Sequence, residues 1–174
     1  KKNKSLKIRF LGGVGEIGKN MTAFEYGSDI IIVDVGLTFP TVDMPGIDLV
    51  IPDTTYVLQN KERVKGIVLT HGHEDHIGGL PYLLKELKVP VYGTKLTLAL
   101  AEHKLKEQNV KGVKLNTVEP SSKVNLGCFN VEFIHVNHSI AGACALAINT
   151  PVGTILHSGD FKIDLTPISG EIAD

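Results

Sequence analysis

The chain has no tryptophan, only two cysteines and two methionines, and no apolar run that approaches a membrane span. Each shortage closes off a class of explanation. A spanning helix takes about 18 or more consecutive apolar residues, so no membrane partner is expected. Cys128 and Cys144 form no Cys-x-x-Cys pairing, which indicates neither a disulfide scaffold nor a thiolate zinc site and fits a reducing cytoplasm. Aromatic residues make up 6% of the chain, and 18 Lys+Arg against 19 Asp+Glu leave a net charge of −1. A dedicated nucleic-acid-binding module needs stacking aromatics and a basic face, and the chain has neither. An enzyme acting on nucleic acid is still compatible with these numbers. No secretory signal follows Lys1-Lys2-Asn3-Lys4. The absence of an initiator Met and the small polar residues at 168–174 suggest an excised piece of a longer protein.

With 174 residues, 43% of them hydrophobic, the sequence is sized for one domain over 1–174. A chain of this size buries roughly 70% of its unfolded surface. It needs no metal to fold, so any metal present would serve chemistry.

Strand-length runs rich in β-branched residues at 6–11, 21–26 and 30–35, with Gly27-Ser28-Asp29 as a turn, predict an antiparallel meander. A Pro- and Asp-rich loop at 39–54 follows. Residues 66–70 form a continuous apolar run, as in a strand covered on both faces. The spacing of Ile77, Leu80, Leu83, Leu84 and Leu87 predicts one helix over 77–87, and a second begins after Thr94 and stops at Gly112. Strands are expected again at 114–118, 128–136, 143–149 and 154–157. Strands on either side of a two-helix middle predict an α/β/β/α sandwich, not a doubly wound sheet.

Directly after the 66–70 strand stands His71-Gly72-His73-Glu74-Asp75-His76, three imidazoles and two carboxylates in six residues. Histidine is the commonest metal ligand, and a chain curling around Gly72 can aim several rings at one point. His138 and Asp160, each at the end of a predicted strand, can complete such a site. In that reading His71, His73 and His138 hold one divalent metal, Asp75 and His76 a second, and Asp160 bridges them. Asp34, closing the 30–33 strand, is a candidate acceptor that fixes the tautomer of a ligand histidine. His135 and His157 are expected in the core. His103 and the lysines at 104, 106, 111 and 114 are expected on a solvated face. Gly13-Val14-Gly15-Glu16-Ile17-Gly18 imitates a dinucleotide-binding fingerprint, but residues 19–27 have strand spacing where that motif requires a helix. The glycines are expected to let this loop approach the active-site mouth closely.

These residues resemble the metallo-β-lactamase-fold hydrolases, whose motif is His-x-His-x-Asp-His followed by a His and a bridging Asp. Within them, residues 11–20, 51–53, 70–80, 137–140 and 158–164 resemble the bacterial ribonuclease J family. The resemblance implies a two-zinc RNA phosphodiesterase, both 5′-to-3′ exonuclease and endonuclease, whose β-lactamase domain is interrupted by a β-CASP insert. It implies His71, His73 and His138 on the first metal, Asp75 and His76 on the second, Asp160 between them, and Asp34 in support. Asp75 and His76 carry the catalytic assignment. RNA is the expected partner, with a homo-oligomer or a paralogous subunit in the whole protein. Ala141 stands where the family often has Pro. No histidine follows His157 to match the family's last, distant ligand, so the chain reads as an incomplete amino-terminal portion that is weak or inactive alone. His and carboxylate donors suit zinc and manganese alike. Two other readings share the fold: a hydrolase of small thioesters or lactones, and a catalytically inactive interaction subunit.

Overall fold

The computed structural model describes residues 5–168 and 172–173. The meander is present as β1 (Leu6–Gly12), β2 (Met21–Tyr26) and β3 (Asp29–Val33). A short helix α1 (Thr55–Gln59) and a 3₁₀ turn (Lys61–Arg63) lead into β4 (Val64–Val68). Then come α2 (Glu74–Ile77), α3 (Leu80–Leu84), β5 (Val91–Gly93), α4 (Lys95–Glu107) and β6 (Leu115–Thr117). The chain continues with β7 (Lys123–Leu126), β8 (Phe129–His135), β9 (Cys144–Thr150) and β10 (Gly153–His157). The first six strands form one sheet in chain order, antiparallel from β1 to β3 and parallel from β3 to β6. The other four form an antiparallel sheet ordered β10-β9-β8-β7.

Alternation in the buried strands explains the layering. In β3, Ile30 and Ile32 join the helix-side cluster with Leu80, Leu83 and Leu98, while Ile31 and Val33 pack with Phe129, Phe133 and Leu146 of the second sheet. Successive side chains of a strand point to opposite faces, so an all-apolar strand can sit only between two covering layers. Gly66 in β4 admits the second sheet closely, because a Cβ there would meet Leu126 at 3.1 Å. Helix, sheet and sheet are thus three of the expected four layers. Over the outer face of the second sheet, where Leu156 is 68% exposed, no helix lies among the described residues.

Several elements depart from the sequence expectation. The helix expected at 77–87 is two short helices, α2 and α3, although all five residues of its apolar stripe are buried. Gly78 and Gly79 break it: a Cβ on Gly78 would meet Leu37 at 2.4 Å, and Gly79 N–H donates to Val35 O, outside the helix. The 66–70 strand is shifted to 64–68. α4 ends at Glu107, ahead of Gly112, because Asn109 takes the left-handed turn at φ 55. α1, β5 and β7 are additional, each too short for a periodic signal.

One charge sits on the buried helix-side face of β2. The Glu25 side chain, 8% exposed, accepts from Arg63 Nη2 at 2.6 Å and from the Tyr56 hydroxyl, with Lys7 and Arg9 at 3.5 and 3.6 Å. Burial alone would raise its pKa, but Arg63 and Tyr56 outweigh burial and hold it at about 2, against an ordinary 4.5. A depressed carboxylate contributes stability above its unfolded pKa and loses it as pH falls through the folded one, here between 4.5 and about 2. The contribution is on the order of 3 kcal/mol. Denaturant unfolding across that window should therefore weaken the wild type more steeply than Glu25→Gln, which starts less stable and keeps only the acid loss of the other carboxylates. An equal acid loss in both would place the acid sensitivity elsewhere.

Candidate metal centre

β4 runs parallel between β3 and β5, and its end delivers the histidine motif into the mouth between the sheets. The chain turns through Gly72, where a Cβ would stand 2.6 Å from Leu100 Cδ1. It then enters α2, whose first bonds run from His76 N and Ile77 N to His73 O. That single tight turn gathers the rings: His71 lies with its centroid 4.7 Å from His73 and 4.1 Å from His76. The loop after β8 brings in His138, 4.8 Å from His71 and 4.9 Å from His73.

The nitrogens converge. His73 Nδ1 is 3.1 Å from His71 Nε2 and 3.2 Å from His138 Nε2. A neutral imidazole carries one N–H, so His73 can satisfy only one of these neighbours. A cation taking all three lone pairs satisfies the set. The donor atoms of His71, His73 and His138 lie within 4.8 Å of one another, as do those of His71, His76 and Asp160. Ligands held on ~2.0–2.1 Å bonds in a tetrahedron are about 3.3 Å apart, so the donors fit a divalent metal. Asp160, on the loop after β10, has Oδ1 3.5 Å from His76 Nε2 and Oδ2 3.9 Å from His138 Nε2. Asp75 Oδ2 is 3.6 Å from His76 Nε2. The two donor groups hold five of the expected ligands and set His71 in both, not the first alone, while Asp75 stands beside His76 and belongs to neither group.

Asp34 lies beneath the rings, 1% exposed and at φ 58. It accepts from Thr70 N at 2.8 Å and Thr70 Oγ1 at 2.7 Å, and it meets His76 Nδ1 at 2.8 Å. Thr70 Oγ1 is 3.0 Å from His71 Nδ1. With Asp34 ionised, this network places an N–H on Nδ1 of both rings, leaves His71 Nε2 with its lone pair at the centre, and aims His76 Nε2 there as the nitrogen that a bound cation would deprotonate. Burial would push Asp34 up, but the His76 charge outweighs it and holds Asp34 below the usual carboxylate range. Burial lowers His71 to about 4, with the His76 charge adding to it, and lowers His138 as well, with His73 adding. For His76, burial is overcome by Asp34, which raises it to about 8.

Three contacting residues were given no role in the sequence reading: Thr70, Asn20 and Ser139, whose Oγ is 3.4 Å from His73 Nε2. Thr70 precedes the motif directly and could have been suspected as a strand-end hydroxyl. Asn20 closes the 11–20 stretch that carries the family resemblance, but its distance from the motif in sequence gave it no role of its own; its amide is 3.1 Å from His76 Nε2. The glycine-rich loop makes no helix and hangs over the centre, with Lys19 N–H on Leu37 O and Asn20 N–H on Asp75 O. His135 and His157 are half-buried: the first has a buried Nε2 with no partner among the described residues, and the second lies edge-on to Phe24. His103 is exposed beside Glu107. Lys104 departs from its expected solvated face, because it is half-buried and pairs with Glu74.

Comparison with known proteins agrees with this geometry. The chain is 53% identical to ribonuclease J of Synechocystis over 98% of its length, and 46% identical to ribonuclease J of Thermus thermophilus over 94%. It is 47% identical to ribonuclease J 2 of Staphylococcus aureus, again over 94%. It spans between 27% and 30% of the length of those relatives. Among solved structures, it resembles the metallo-beta-lactamase fold protein YhfI of Bacillus subtilis with a TM-score of 0.62. That likeness covers 90% of this chain and 63% of that one at 19% identity, so it speaks to the fold. A protein from Enterococcus faecalis V583 matches at a TM-score of 0.65 and 23% identity, over 92% of this chain and 44% of that one. The Metallo-beta-lactamase superfamily model matches residues 14–170, a stretch that takes in all seven residues of the centre. Divalent metal use goes with that family, and on that match the chain belongs to the metallo-beta-lactamase superfamily.

Proposed function

We propose that the chain carries the metal centre of an RNA phosphodiesterase of the ribonuclease J kind, with 5′-to-3′ exonuclease and endonuclease activities in cytoplasmic RNA decay. In this reading residues 1–174 are the amino-terminal portion of the β-lactamase domain, and a β-CASP insert lies outside them. The observation that carries it is the pair of donor groups that share His71, His71–His73–His138 and His71–His76–Asp160. The names of the relatives supply the substrate class.

His71, His73 and His138 would hold one metal, Asp75 and His76 a second, with Asp160 between them. Bound zinc, or manganese, would supply a Lewis acid that lowers the pKa of water to near neutrality and stabilises charge on phosphorus. The protein's own contribution is orientation. Asp34 keeps the His76 proton on Nδ1, and through Thr70 it does the same for His71. Burial keeps His71 and His138 neutral, so their lone pairs are available. The Asp75 carboxylate, a third exposed at the mouth, accepts a hydrogen bond from the attacking water and orients it.

The test is an assay of the whole protein on 5′-monophosphorylated RNA beside a thioester, with zinc or manganese added. Metal-dependent cleavage of the RNA and not of the thioester is expected. Turnover of the thioester alone would transfer the assignment to a small-molecule hydrolase, and no bound metal with no turnover would indicate an inactive subunit.

A further inference from the structure

β1 and β2 are adjacent antiparallel strands, which a two-residue turn can join, yet residues 13–20 connect them. This loop holds left-handed backbone at Gly13, Gly15, Gly18 and the non-glycine Lys19, φ 51. A non-glycine residue in that conformation costs of order 1–3 kcal/mol and persists where its surroundings impose it. What imposes it here is Asn20. Its backbone N–H donates to Asp75 O at 3.0 Å, and its backbone carbonyl accepts Gly36 N–H at 2.9 Å. Its amide nitrogen lies 3.1 Å from Asp75 O, 3.4 Å from Asp75 Oδ2 and 3.1 Å from His76 Nε2. Gly36 closes the other side, where a Cβ would fall 1.6 Å from Asp75 O.

The geometry points to Asn20 as a positioning residue whose amide fixes the Asp75 carboxylate beside His76 Nε2, so that the two donors address the second metal together. The inference rests on the reading of Asp75 and His76 as donors to that metal. The contacts of the amide pull in opposite directions. Its bond to His76 Nε2 competes with a cation for that lone pair. Its bonds to Asp75 do not, because a carboxylate oxygen has a second acceptor site left after one hydrogen bond. The amide carries two N–H groups: one is held by the Asp75 carbonyl at 3.1 Å, and the other lies between Asp75 Oδ2 and His76 Nε2, so what favours metal is that it holds the carboxylate beside that nitrogen. His71, His73 and His138 receive no contact from Asn20, so the first metal is indifferent to it.

Zinc titration of the whole protein by calorimetry separates these effects, with wild type run beside Asn20→Ala and Asn20→Leu. Loss of a group that orients a ligand costs about 10–100-fold in metal affinity, so the second site should weaken by that factor and the first stay within about twofold. Leucine nearly fills the asparagine volume without its donors. Equal weakening in both variants assigns the effect to the amide. Recovery in Asn20→Leu assigns it to packing and overturns the proposal, as does equal weakening of both sites or of neither. Residue 20 keeps its main-chain bonds in every variant, and thermal melting checks the fold. Should either variant unfold, Asn20→Ser takes its place with the same split between sites required. A wild type that binds no zinc overturns the metal reading itself, which is a different outcome from a zinc-binding wild type that the variants do not alter.

Discussion

Asp75→Asn in the whole protein should lower RNA cleavage by about 10³-fold or more while changing the melting temperature little. The carboxylate is half-buried at the mouth of the centre, and removing its charge withdraws both a donor and the acceptor that orients water. Metal stabilisation of phosphoryl transfer is worth several kcal/mol, and about 1.4 kcal/mol is tenfold in rate. The asparagine keeps the shape of the side chain, so α2 and its bond to Asn20 N–H persist. His76→Ala should abolish cleavage to the same extent, but it will not leave the fold untouched. The motif reads as a loop in sequence, whereas His76 is 3% exposed inside α2 and meets Asp34 at 2.8 Å. Removing one partner of a buried pair costs about 3–5 kcal/mol. Steady-state rates and melting curves on the two variants separate chemistry from stability. Cleavage by Asp75→Asn at the wild-type rate would remove the aspartate from the mechanism.

The largest stability effect is expected at Asp34. Asp34→Ala strands Thr70 N–H, Thr70 Oγ1 and the His76 ring, all within 2.8 Å of the present carboxylate and all buried. An uncompensated buried partner costs about 3–5 kcal/mol, and alanine at φ 58 adds about 1 kcal/mol or more. Asp34→Asn keeps the shape and most of the packing but places an N–H₂ group where two or three acceptors are needed. It should cost less in folding and still lower metal affinity about 10–100-fold, because the tautomers of His71 and His76 are then no longer imposed. Denaturant titration and metal binding on the two variants make the comparison. An Asp34→Ala protein within about 1 kcal/mol of wild type would show that the network is not a stability determinant.

The residues of the centre were legible because metal chemistry compresses its signature: His71, His73, Asp75 and His76 occupy one turn of chain, and His138 and Asp160 stand at strand ends. The meander and the buried strand were legible for a related reason, since β-branched runs bounded by turn residues encode strands locally. The broken helix was not. Its apolar stripe is continuous, and what breaks it is contact with residues 35–37, distant in sequence.

The sequence by itself therefore determined the donor types, the strand-end positions that hold them and the layered class of the fold. Only the tertiary structure decided how those donors are grouped and oriented. Asp34 reaches Thr70 and His76, and Asn20 reaches Asp75, across separations of 36, 42 and 55 residues. No local periodicity encodes such contacts, because each depends on the register of one strand or loop against another, and that register is fixed by burying the apolar faces of the sheets.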